Sequence, residues 1–79
     1  MSHLDSELKK LFEEAGVGET LQEFIARVES HEDRLVIARA LHKKGGIDRP
    51  ALQSALSPKA SPGHRERIIA RCRAIVEED

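Results

Sequence analysis

The stretch HEDRLVIARALHKKGGIDRPALQSALSPKASPGHRERIIARCRAIVE, residues 31–77, decides the fold. It divides into three helices at its own punctuation. Ser30 stands just before it as an N-cap, with Asp33 in the place of a capping-box partner. Leu35, Val36, Ile37, Ala38, Ala40 and Leu41 then cover most of a helical circumference, so the segment 31–44 is expected to be a central helix packed on several sides. His42, Lys43 and Lys44 bring cations to the negative end of its dipole, and Gly45-Gly46 stops it. Asp48 caps a short helix, 48–56, with Pro50 in the first turn, where its missing N–H costs nothing. Ala51, Leu52, Ala55 and Leu56 form its inner face, and Ser57-Pro58 ends it. Ser61-Pro62 is a favoured pair of N-cap and first helical residue. The last helix runs from there to about Glu77, with Ile68, Ile69, Cys72, Ile75 and Val76 on one stripe.

Working outward, residues 1–30 predict two more helices. The first starts at Ser2 and aligns Leu4, Leu8, Leu11, Phe12 and Ala15, until Gly16 and Gly18 stop it. The second starts at Thr20, whose capping-box partner is Glu23, and buries Leu21, Phe24, Ile25 and Val28. No segment alternates with period two, so no strand is expected. The fold class is all-α, a compact bundle of five short helices. Residues 1–79 are read as one domain, with a two-helix part, 1–30, and a three-helix part, 31–77. Phe12 and Phe24 are the only aromatics, so Leu, Ile, Val and Ala must build what is a modest core for so short a chain.

The net charge of −1 conceals a division along the chain. Residues 1–33 hold three basic and nine acidic groups, a net of −6. Residues 34–76 hold ten basic groups against Asp48 and Glu66, a net of +8, and the tail Glu77-Glu78-Asp79 adds −3. Such asymmetry points to an anionic partner for the basic half. The alternative is that the two halves neutralise each other in the fold. The single cysteine, Cys72, excludes an internal disulfide and suits a cytoplasmic location. No apolar run approaches the roughly 20 residues of a membrane span, so no membrane partner is expected. The N-terminus lacks the basic start and apolar stretch of a signal peptide.

A buried helix, a Gly-Gly turn, a short helix, a brief connection and a longer basic helix follow the order of a tri-helical helix-turn-helix. On Leu35 through Leu41, Ile47 through Leu52 with Leu56, and Ser61-Pro62 before Ile68-Ile69, the chain resembles bacterial winged-helix and related transcription-factor domains. The sequence reaches Asp79 without a β-hairpin wing, so wing contacts are not expected. The resemblance implies a small, non-enzymatic DNA-binding protein of transcription regulation whose last helix meets double-stranded DNA. The outward face of that helix carries Glu66, Arg67, Ala70, Arg71, Arg73 and Ala74. Arg67, Arg71 and Arg73 could reach phosphates or guanine edges across the low alanine centre. Free N–H groups beside Ser61 could hold a phosphate, with Lys59 and His64 nearby. Arg65 faces the apolar side and is expected to pack its stem there. One such helix gives little specificity, so a homodimer spanning two half-sites is expected, with the first two helices as candidate contact. The other reading of this helix is an ordinary solvated face, or an oligomer contact through Ala70 and Ala74.

A second resemblance competes. Gly63-His64-Arg65-Glu66-Arg67-Ile68-Ile69 is similar to the closing helix of sterile alpha motif domains, and Leu8 through Phe24, with Ala15-Gly16-Val17 between two helices, is similar to their opening. That resemblance implies a protein–protein interaction module whose acidic and basic faces pair head to tail, leaving open ends that can polymerise.

No catalytic or cofactor pattern emerges. His3, His31, His42 and His64 are scattered, with no pair at the i,i+4 spacing of a helical zinc site, and Cys72 has no cysteine companion. Cys72 lies on the apolar stripe and reads as a small buried hydrophobe. Gly45-Gly46 follows a helix, not a strand, and lacks the phosphate-loop pattern. Enzymatic activity, a metal and a cofactor are therefore not expected.

Overall fold

The computed structural model describes residues 3–43 and 45–78, with side chains described from Ser6 on. The expected cap at Ser2, the side chain of Leu4 and the cation Lys44 lie outside the described residues. Five helices follow in order: α1 (His3–Ala15), α2 (Glu19–Ala26), α3 (His31–His42), α4 (Arg49–Leu56) and α5 (Pro62–Glu77). There is no strand among the described residues, and the chain is an all-α bundle.

α3 is the centre. It packs most extensively against α5 and α1, while α4 bridges α2 and α5. Its six apolar residues, Leu35, Val36, Ile37, Ala38, Ala40 and Leu41, are all buried, which is why its pattern shows so weak an apolar stripe. The largest fully buried side chains are Ile25, Ile37, Leu52 and Cys72, one from each of α2 to α5. Phe12 brings α1 into the same cluster. Each such aliphatic residue contributes about 1.5–3 kcal/mol by leaving water, so the core is a junction of four helices around α3.

The caps of the last three helices form as the residue types require. The side chains of Ser30, Asp48 and Ser61 accept from the N–H groups of Asp33, Ala51 and His64, at 3.3, 3.1 and 3.2 Å. Ser30 and Asp33 do not complete a reciprocal box. The short Asp33 carboxylate turns instead to Arg73, 2.7 Å away. α3 ends at His42, two residues earlier than expected, with Lys43 as its extended C-cap.

The expected box at Thr20 and Glu23 is corrected. α2 begins at Glu19 with Gly18 as N-cap and no side-chain cap. The Gly18 carbonyl accepts from Gln22 N–H at 3.0 Å, and the Gln22 amide donates to Val17 O at 2.8 Å. Thr20 thus lies inside the first turn, where it cannot cap. The cause is upstream. Gly16 adopts φ +65°, Val17 N–H bonds to Phe12 O at 3.0 Å and Gly16 N–H to Glu13 O at 3.2 Å. This Schellman arrangement buries Val17 beside Phe12 and turns the chain so tightly that α2 restarts at once.

Candidate nucleic-acid interface

Whether the second half can meet an anion depends on where its cations go. Several are used inside the molecule. Arg39 donates to Glu7 at 3.1 Å, Arg73 to Asp33 at 2.7 Å, and His42 lies 3.7 Å from Glu14. Others donate to the carbonyls of helix ends. Arg49 donates to Gly16 O at 2.9 Å and to Ala15 O, closing α1. Arg34 donates to Val28 O at 2.8 Å and Ala26 O at 3.4 Å, closing α2. Lys43 Nζ donates to Ile75 O at 2.8 Å, in the last turns of α5. The exposed carbonyls at a helix C-terminus carry partial negative charge, so each cation is held both by hydrogen bonds and by the dipole.

Lys59, His64, Arg67 and Arg71 are different. All four are exposed, and none pairs with a described carboxylate. On α5, His64, Arg67 and Arg71 succeed one another at three- and four-residue spacing, so they share one edge of the helix. Gly63, Ala70 and Ala74 make the low strip beside them, and a side chain added at Gly63 would meet nothing within 4 Å. Glu66 and Glu77 lie across that strip, towards the Arg73 side. Lys59 sits in an ordered turn in which Ala60 N–H bonds to Ser57 O at 2.9 Å and Lys59 N–H to Ser57 Oγ at 3.3 Å. The 57–61 connection thus has a defined shape.

The six residues singled out by sequence therefore fall into three groups. Lys59, Ser61 and His64 share one wall of a cleft of about 880 Å³. Arg67 and Arg71 lie further along α5, and Arg71 borders a smaller recess with Ala74, Ile75 and Glu78. Arg73 is turned away, against the start of α3. Ser61 Oγ is already occupied as the cap of α5, so its contribution to an anion is to fix the first turn. Arg65 is half-buried as expected, with Nε buried and unpartnered.

Two features carried no signal in the sequence. The cross-helix capping by Arg34 and Arg49 joins groups that no local motif relates; Arg49 and Gly16 are 33 residues apart. The cleft is formed by Phe24 of α2 and Pro50, Gln53 and Ser54 of α4 facing the start of α5, a juxtaposition that exists only once the helices are packed. Among the described residues no group of three or more His, Cys, Asp or Glu side chains could hold a metal ion, and no described helix is long and apolar enough to cross a membrane. Neither a protein-family model, nor a curated protein, nor a solved structure matches this chain.

Proposed function

We propose that this chain is a small, non-enzymatic DNA-binding domain of transcription regulation, acting in the cytoplasm, that lays the outer edge of α5 against a duplex. The observation that carries this reading is the run of exposed side chains Lys59, His64, Arg67 and Arg71, none paired with a described carboxylate, in a second half that holds Arg34, Arg39, Lys43, Arg49 and Arg73 on its own acceptors. Ion pairs and helix ends hold Arg34, Arg39, Lys43, Arg49 and Arg73 in place. Those four remain displayed beside a strip of glycine and alanine low enough to approach a phosphate backbone. Binding is then mostly electrostatic: each cation that neutralises a phosphate releases a counterion, so affinity falls as salt rises. A homodimer would place two such helices on successive half-sites.

The test is an amide chemical-shift titration with a mixed pool of duplexes at low and moderate salt. Residues 59–71 are expected to respond, and the response to fade with salt. Silence of these amides at low salt overturns the reading.

A second reading rests on a separate observation. Glu19 and Glu23 on α2, with Glu29 and Glu32 at the α2–α3 junction, are exposed and pair with no described cation. This acidic end and the basic edge of α5 could associate head to tail between copies, as in an interaction module of the sterile-alpha-motif kind. Sedimentation against concentration separates the two: a strict monomer at high concentration removes this second reading.

A further inference from the structure

The cleft between α2, α4 and the start of α5 has a composition of its own. Phe24 and Pro50 give it apolar surface, Gln53 and Ser54 neutral polar surface, and the exposed Lys59 and His64 form its rim. No carboxylate lines it. It is an open depression of about 880 Å³ on the surface of the molecule. We propose that this cleft binds a small aromatic phosphomonoester, with the phosphate against Lys59 and His64 and the ring against Phe24 and Pro50.

The two ends of such a ligand are argued separately. At the rim, Lys59 and His64 are exposed and unpaired, so an anion displaces water and not an internal partner. The first turn of α5 adds a donor there. His64 N–H is taken by Ser61 Oγ at 3.2 Å and Arg65 N–H by Ser61 O at 3.1 Å, which leaves Gly63 N–H, with open space around its α-carbon. At the other end, Phe24 is only half-buried although it packs against the core. Part of its ring therefore faces the cleft, where a flat apolar group can cover it. Arg49 also borders the cleft, but its guanidinium is anchored on Ala15 and Gly16 carbonyls. It stiffens the wall without competing for the phosphate. A phosphate alone would use only the rim, and an uncharged aromatic only the far side. A molecule carrying both fits the whole.

This proposal shares Lys59 and His64 with the duplex reading, and differs from it in not needing Arg67 and Arg71, which lie outside the cleft. The test is an amide chemical-shift titration of the full chain with phenyl phosphate, inorganic phosphate and phenol at matched ionic strength. Phenyl phosphate is expected to give saturable shifts at Phe24, Lys59, Gly63 and His64, and to bind more tightly than either fragment. Lys59→Ala is expected to weaken it roughly tenfold, the loss of one charge-assisted hydrogen bond, whereas Arg71→Ala leaves it unchanged and weakens only duplex binding. Both side chains are exposed, and far-UV circular dichroism of each variant checks that it folds. Three results overturn the proposal: no saturable shift with phenyl phosphate, equal affinity for either fragment, or Lys59→Ala binding as wild type does.

Discussion

Cys72 shows what a residue's position alone can impose. It is fully buried at the middle of α5, and burial pushes its thiol from 9.0 up to about 11. The thiolate is disfavoured in the folded chain, so the folded state holds this proton to higher pH than the unfolded chain does. Stability from this source is complete below pH 9 and falls as pH rises from about 9 to 11. Two units correspond to roughly 3 kcal/mol. Urea unfolding at pH 8 and pH 10.5 should show an alkaline loss of about 2 kcal/mol, the part of that window crossed by pH 10.5, and Cys72→Ala should shrink it while lowering stability at pH 8 through the cavity it leaves. A thiol reagent at pH 8 should react only on the unfolding timescale. That Cys72 would be buried was legible from its place on the stripe Ile68–Val76. Which glycine of the Gly45-Gly46 pair does what was not. Gly45 takes φ +72°, whereas a β-carbon on Gly46 would come 2.0 Å from Ala40 O and 2.8 Å from Lys43 O. Gly46→Ala must displace backbone at the end of α3, and should cost at least about 2 kcal/mol in thermal or urea unfolding, more than a change at any exposed glycine with ordinary φ.

Among the elements, the start of a helix is legible where a capping side chain is followed by a residue that fixes the first turn. Asp48 with Pro50 and Ser61 with Pro62 satisfy this, and their caps form where expected. Thr20 with Glu23 also fits the pattern, yet the Gly16 turn sets the start of α2 at Glu19. A local pattern competes here with a tertiary demand, the burial of Val17 against Phe12, and loses. The contrast gives a paired prediction. Ser61→Ala should destabilise the fold by about 1 kcal/mol, while Thr20→Ala should stay within about 0.5 kcal/mol of wild type. Equal costs in thermal unfolding would restore Thr20 as a cap. Helix C-termini were much less legible. Arg34 and Arg49 belong to the basic segment 34–76, and nothing in the sequence tells that they close α2 and α1 through carbonyls. Their donors are fixed in place by the packing of α3 and α4, a relation no spacing rule encodes.

At the scale of the whole molecule, the charge division between the halves was legible and its disposition was not. Sequence alone leaves open whether carboxylates of the first half consume the cations of the second. The fold answers differently for different residues: Glu7 and Asp33 take Arg39 and Arg73, helix ends take Arg34, Lys43 and Arg49, and the edge of α5 is left displayed. Arg73 is thus the cation that an intramolecular pair withholds from the proposed duplex surface. The pair is partly exposed, its side chains 50% and 24% accessible, so it is worth at most about 1 kcal/mol to stability. Asp33 also lies in the first turn of α3, where a carboxylate gains about 0.3–1 kcal/mol from the helix dipole. Asp33→Asn should therefore leave the chain folded at a small cost. It should also free Arg73 for phosphate. With Lys59, Arg67 and Arg71 as the permanent cations of the surface, duplex affinity should fall with salt at a log–log slope of about −3. Asp33→Asn should steepen that slope by about one and raise affinity at low salt, while Arg71→Ala should flatten it by about one. Parallel fluorescence-anisotropy titrations across a salt series measure both. If Asp33→Asn binds the duplex as wild type does while Arg71→Ala weakens it, Arg73 points away from the nucleic acid even when released, and the interface is confined to the edge carrying Arg67 and Arg71. If neither variant moves the slope, α5 is not the duplex-binding surface.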